Sequence, residues 1–167
     1  MGWCGSEKSK TMRKMRKALL LISLMAFFAC GSAPKDKTIL TQTFDVSGWE
    51  KFSPVYSDME ITKPTNFDLS LKAWFTADYS DKDFNVVFTV FDPEGMPYRA
   101  KSYSFRLKDN DGSWKSECNG GVYEFEFPIN SNLGISDAGK YRFQLDSRMP
   151  ITPLMGVQKL ELINNGK

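Results

Sequence analysis

From residue 66 onward the apolar residues of this chain recur at every second position, and that period admits few folds. Phe67, Leu69, Leu71, Ala73 and Phe75 alternate with Asn66, Asp68, Ser70, Lys72 and Trp74. Tyr103, Phe105 and Leu107 alternate with Ser104 and Arg106, and Tyr123, Phe125 and Phe127 with Glu124 and Glu126. Tyr141, Phe143 and Leu145 alternate with Arg142 and Gln144. Successive side chains of an extended chain point to opposite faces, so each run predicts a strand with one buried and one wetted face. Residues 84–91 read FNVVFTVF, apolar on both faces, and predict a central strand. Leu40, Phe44 and Val46 predict a first strand, and Leu160 and Leu162 a last one. Turn chemistry separates the runs at Asp92-Pro-Glu-Gly95, Asp109-Asn-Asp-Gly112, Asn119-Gly-Gly121 and Asp137-Ala-Gly139. Aromatics make up 14% of the chain, which suits pleated surfaces. No stretch after residue 37 sustains a helical period. The expected fold class is all-β: a two-sheet antiparallel β-sandwich, jelly-roll or Ig-like, over residues 38–164, preceded by a lipoprotein signal peptide.

The leader has its own chemistry. Met12-Arg-Lys-Met-Arg-Lys17 is a compact basic run, followed by ALLLISLMAFFA from Ala18 to Ala29. That apolar run is too short for a helix crossing hydrocarbon, which needs about 20 residues. It fits the h-region of a secretory signal. Ala29 before Cys30 and Gly31 after it resemble a bacterial lipobox, with Phe27 and Phe28 where smaller or aliphatic residues are usual. Cleavage before Cys30 predicts acylation of its sulfur and its new amino group, and two or more acyl chains anchor a protein stably. The blander readings are an ordinary signal peptide with a chance cysteine, or a buried first helix. Residues 1–29 are thus expected to be an N-terminal extension and signal peptide, with Met12 or Met15 giving a more typical start. Residues 30–37 are the lipidated cysteine and a short polar tether.

Charge and composition exclude several functions. The formal charge is +2, yet from Gly31 onward 16 Lys and Arg stand against 19 Asp and Glu, a net −3. A domain gripping nucleic-acid phosphates is not expected. Histidine is absent, which removes His-based triads and His zinc sites. Beyond Cys4 and Cys30 the only cysteine is Cys118, so the exported domain is held by its core and not by a disulfide. Cys118 has no histidine to activate it and reads as a turn-side or buried residue.

Candidate chemistry is sparse. Asp109, Asn110 and Asp111 offer oxygens to calcium, but without the frame or closing Glu of an EF-hand they read as a polar turn. Glu124 and Glu126 share a strand face about 7 Å apart, a separation found in inverting glycosidases and equally in any two solvated strand residues. No catalytic residue, cofactor or metal is expected, and the chain is not read as an enzyme. Trp49, Trp74 and Trp114 are candidate contacts for a protein partner or a glycan, against the plainer reading that they pack under loops. The segment DSRMPITPLMG, residues 146–156, is unusually apolar for a connection between strands. Either it folds back over the open end of the sandwich, or Arg148, Met149, Leu154 and Met155 meet a partner.

At this segment the chain resembles a family. Asp92-Pro-Glu-Gly95, Tyr103-Ser-Phe-Arg-Leu107, Asp111-Gly-Ser-Trp-Lys115, Gly139-Lys-Tyr-Arg-Phe143, Arg148-Met-Pro150, Leu154-Met-Gly-Val157 and Leu160-Glu-Leu162 resemble the gliding-motility lipoprotein GldH of Bacteroidetes. The leader with Cys30, and Trp49 soon after, also fit. The resemblance implies a lipid-anchored accessory component of a gliding or type IX secretion-linked envelope complex, without catalytic residues or cofactor. Its expected partners are the membrane, through the anchor, and envelope proteins; a carbohydrate-binding lipoprotein is the alternative. Surface display in such lipoproteins accompanies an acidic run after the cysteine. GSAPKDK holds only Asp36, so the expected location is the outer membrane, facing the periplasm.

Overall fold

The structure is a computed structural model that describes residues 37–166; the leader, Cys30 and the tether lie outside them. The described residues form strands and turns, and among them there is no helix. The strands are β1 (Lys37–Thr43), β2 (Val55–Ile61), β3 (Thr65–Thr76), β4 (Asp83–Phe91), β5 (Pro97–Arg106), β6 (Cys118–Asn119), β7 (Val122–Ile135), β8 (Gly139–Ser147) and β9 (Val157–Asn164). One sheet has the order β1-β9-β3-β7-β6 and the other β2-β8-β4-β5. Every pairing is antiparallel.

These orders follow from one long hairpin rolled upon itself. Its tip is the turn at Asp92–Met96, where Asp92 accepts from Gly95 N at 3.0 Å and the Asp92 side chain accepts from Met96 N at 2.7 Å. From that tip β4 pairs β5, β3 pairs β7, β2 pairs β8 and β1 pairs β9. The pairings β3–β9 and β4–β8 then close the roll sideways. This is a jelly roll, the first of the two expected topologies.

The alternation places the core as the sequence implies. Phe67, Leu69, Leu71, Ala73 and Phe75 all face inward on β3, and Tyr141, Phe143 and Leu145 on β8. FNVVFTVF is β4, flanked by β8 and β5. It buries Phe84, Val86, Phe88 and Val90 on one face and Thr89 on the other. Tyr103, Phe105, Phe125 and Phe127 are half-buried and close the β5–β7 side in near-parallel stacks, Phe105 on Phe127 at 4.1 Å. The Tyr103 hydroxyl donates across this seam to the Ile129 carbonyl. Arg99 and Lys101 stand in register with buried Val90 and Phe88, so the exposed edge strand β5 carries inward-side charges that disfavour edge-to-edge pairing.

The first strand is shorter than expected. β1 ends at Thr43; Phe44 is half-buried and Val46 is 91% exposed in the following loop. An Asp45–Ser47 turn ends the ladder, because the Asp45 carboxylate accepts from both Ser47 N (2.8 Å) and Ser47 Oγ (2.5 Å). Those two bonds hold the Asp45 carboxyl below its ordinary range. The run VYSDMEI forms β2 on the sheet edge, with Val55, Met59 and Ile61 facing the core and Ser57 the one polar residue among them.

Candidate functional site

The roll has two ends. The end where β1 begins carries the short connections 62–64, 92–96 and 136–138. The opposite end carries the long ones, 44–54, 77–82, 107–117 and 148–156. Long loops need their own anchors, and the 44–54 and 148–156 loops use each other. Trp49 and Leu154 exchange both backbone hydrogen bonds, at 3.1 and 2.9 Å, and Lys51 N donates to Thr152 Oγ1 at 2.9 Å. Gly48, at φ 78°, lies so close that an added Cβ would sit 2.8 Å from the Leu154 carbonyl oxygen.

This stitching sorts the expected contact residues. Trp49 is 3% exposed; its ring packs on Phe44 and Phe84, and its Nε1 donates to the Ser53 carbonyl at 2.7 Å. Met149 and Leu154 are buried as well, with the Met149 sulfur accepting from Asn85 N at 3.2 Å. These three are core residues and not contact surface, in line with the plainer of the two readings: Trp49 packs beneath a loop, and Met149 and Leu154 fold back over the open end of the sandwich, where burial gains more than exposure. Trp114 is half-buried, stacked on Tyr123 at 4.1 Å with Lys108 Nζ 4.4 Å from its ring. Lys108 is itself buried and donates to the Tyr79 carbonyl at 2.5 Å, which ties the 107–117 loop down. Trp74 lies on the outer face of the five-stranded sheet beneath Lys159, 4.9 Å away. Arg148 and Met155 remain accessible. Trp49, Trp74 and Trp114 therefore form no common aromatic platform.

What the loops do expose is apolar. Val46 (91%), Phe52 (90%), Ile151 (50%) and Met155 (44%) all project from the stitched pair. Val46 and Met155 share a notch of about 290 Å³ with Phe44 and Val157, rimmed by Asp45 and Asp78. The sequence places Val46 on a strand and Ile151 within the apolar 146–156 segment, and by itself gives Phe52 no role. Ser47-Gly48 and Ser53-Pro54, turn-forming pairs on either side of Phe52, were the available signal.

A second feature lies on the outer face of the four-stranded sheet. Two depressions of about 500 and 370 Å³ share Phe91 and Gln144 and so run on from one another along β4 and β8. Val87, Thr89 and Phe91 form the floor; Gln144, Asp146 and Arg148 line one end and Asp58, Lys140 and Arg142 the other. Arg142 donates to Asp58 through Nε at 2.8 Å and Nη2 at 3.3 Å, stacks over the Tyr56 ring at 4.1 Å, and shares Asp58 with Lys140 at 3.3 Å. The Arg142 hydrogen bonds, helped by Lys140, hold the Asp58 carboxyl below the usual carboxylate range. Gln144 donates to Asp146 at 2.9 Å. Phe52 stands at the rim with φ 60°, a left-handed conformation costly for an aromatic residue.

The acidic candidates do not converge. Glu124 and Glu126 lie exposed on the outer face of β7, where Glu126 approaches Lys72 at 3.7 Å. Asp111 caps its own turn by accepting from Ser113 N and Oγ, at 3.0 and 2.6 Å, which holds its carboxyl down. Among the described residues no group of three or more Cys, Asp or Glu is placed to hold a metal ion. Cys118 is exposed at the β6–β7 turn.

Comparison with known proteins settles the lineage: residues 39–162 match the family described as GldH lipoprotein. The chain belongs to the GldH lipoprotein family. The match runs from β1 to β9 and so spans the jelly roll of this GldH-family lipoprotein. As a lipoprotein it is a protein of the cell envelope, associated with membrane. None of the curated proteins matches it. Among solved structures it is similar to a protein from Sulfurospirillum deleyianum, at 12% identity over 81% of this chain and 99% of that one, with a TM-score of 0.39. It is also similar to the VP2 subviral particle of infectious bursal disease virus, at 11% identity over 81% of this chain and 32% of that one, with a TM-score of 0.33.

Proposed function

We propose that this GldH-family lipoprotein is a non-enzymatic accessory component of a gliding or type IX secretion-linked envelope assembly. It is held in the outer membrane by lipidated Cys30 and faces the periplasm. The observation that carries this reading is the apolar loop end formed by Val46, Ile151 and Met155. Large exposed side chains gathered on loops that are themselves rigidly pinned are a feature of docking surfaces, because a pinned loop loses little entropy on binding. The notch between Val46 and Met155, with Asp45 and Asp78 at its rim, suits an apolar side chain flanked by basic residues on the partner.

The test is capture of the tagged full-length lipoprotein from membranes of its own cells, alongside a Val46→Asp/Met155→Asp variant and a Cys30→Ser variant. The expected result is recovery of gliding or type IX secretion components by the wild type, their loss with the loop variant, and release of the Cys30→Ser variant from membranes. Equal recovery by wild type and loop variant overturns the docking surface. Retention of unacylated protein in the membrane overturns the anchor.

A further inference from the structure

We infer that the groove on the outer face of the four-stranded sheet binds a short linear oligosaccharide. The site is distinct from the loop notch and stands on different residues. Its two depressions, about 500 and 370 Å³, are each of the size that holds a small ligand. The floor from Val87 to Phe91 alone extends about 13 Å at ~3.3 Å per residue, so an extended ligand fits it better than a compact one.

The chemistry of the lining selects among extended ligands. β4 and β8 are interior strands whose backbone is paired on both sides, so no peptide can add here as a further strand. A ligand on this face is read by side chains alone. Those side chains are planar and bidentate: the Gln144 amide, the Asp146 carboxylate and the Arg142 and Arg148 guanidinium groups, with the Thr89 hydroxyl on the floor. Such groups pair with neighbouring hydroxyls on a sugar ring, donating and accepting at once. Charge along the groove is nearly balanced, with Asp58, Asp92 and Asp146 facing Lys51, Lys140, Arg142 and Arg148. A polyanion or polycation finds no matching field there, whereas a neutral polyhydroxylated chain does. Phe52 adds the remaining element. Its ring is 90% exposed at the rim and is held there in a left-handed backbone that an aromatic residue rarely adopts. An exposed flat ring beside planar hydrogen-bonding groups can stack on the apolar face of a pyranose.

The experiment is titration calorimetry of the detergent-solubilised full-length lipoprotein with cellohexaose, chitohexaose and a peptidoglycan glycan strand free of peptide. Saturable binding of at least one is expected. Phe52→Ala and Asp146→Asn should each weaken it about tenfold or more, an effect read directly in Kd. Trp74→Ala, on the opposite sheet, should leave it unchanged. Thermal unfolding of each variant establishes that it is folded, and Phe52, being exposed, is removed at little cost to stability. Failure of all three sugars to bind overturns the inference. So does binding that survives both groove substitutions, or a groove that takes poly-glutamate in preference to sugar. The Val46→Asp/Met155→Asp variant should bind sugar normally, so the loss of a protein partner and the loss of glycan binding are separable.

Discussion

Replacing Phe75 by alanine should be among the costliest single changes in this protein. Phe75 is fully buried on β3 at the loop-bearing end of the roll. Tyr79, Phe84 and Phe125 meet it edge-on, with centroids at 4.8, 5.1 and 5.9 Å and interplanar angles of 64°, 76° and 75°. Trp114 lies beyond, at 6.3 Å. Burial of the ring and the cavity its loss leaves account for about 3–5 kcal/mol. Each edge-to-face pair adds roughly 0.5–1.5 kcal/mol beyond area. The surrounding rings are rigid and wedged by one another, so they cannot collapse into the gap, and the cost should lie at the upper end, about 4–5 kcal/mol. Domains of this kind carry only about 5–15 kcal/mol of net stability, so the variant should fold but with a much lower urea midpoint. The comparison is Phe127→Ala, whose half-buried ring stacks on Phe105 at 4.1 Å. There, surviving solvent contact should limit the loss to about 1–3 kcal/mol. Equilibrium urea unfolding, followed by tryptophan fluorescence and near-ultraviolet circular dichroism, measures both. A loss below about 2 kcal/mol for Phe75→Ala, or one no larger than for Phe127→Ala, would refute the assignment of Phe75 as the hub of this end.

Gly156→Ala should destabilise by about 2–5 kcal/mol, because φ is +79° and the new Cβ would lie 2.2 Å from Tyr79 N, a backbone atom that cannot swing aside; thermal unfolding reads this, and a shift within error would mean that the 148–156 loop does not rest on residues 78–79. Asp58→Asn should lower stability slightly at neutral pH. The Asp58 carboxyl is depressed chiefly by its hydrogen bonds from Arg142, so its contribution is present above the unfolded carboxylate pKa of about 3.9 and is lost as pH falls through the lower folded value. Urea midpoints of wild type and variant should therefore differ at pH 7 and converge below about pH 3; a gap that widens toward acid pH would contradict the ion pair.

Legibility differed between fold and surface. The buried faces of β3, β4 and β8 could be read directly, since a strand's period of two is local and depends only on which residues avoid water. The turns at Asp92–Met96 and Asp109–Gly112 were legible for the same reason: their backbone preferences reside in the residues themselves. The first strand was misjudged at its end because Phe44 and Val46 continue the alternation while Ser47 and Gly48 pull the backbone out of it. β2 is hard to read because Ser57 interrupts Val55, Met59 and Ile61 on its inner face and Tyr56 adds an apolar ring to the outer one. For Trp49, Met149 and Leu154 the sequence left loop packing and surface contact both open, because a loop's burial depends on what lies above the open end of the sandwich, which is set by partners more than 100 residues away, such as Lys51 and Thr152.

Sequence by itself determined the strand content, the inward faces, the turns, the family resemblance and the expectation of a lipid-anchored, His-free envelope protein. Each of these rests on short-range chemistry: alternation, turn residues, a basic and apolar leader ending at a cysteine. Only the tertiary structure decided between jelly roll and Ig-like topology, because strand order is a choice among non-local pairings that leave the same one-dimensional pattern. It alone brought Val46 beside Met155, and set Phe52 over Gln144 and Asp146, residues some 90 positions further along the chain. Surfaces are built from residues that no local rule joins, so their composition became visible only when the long hairpin had rolled up.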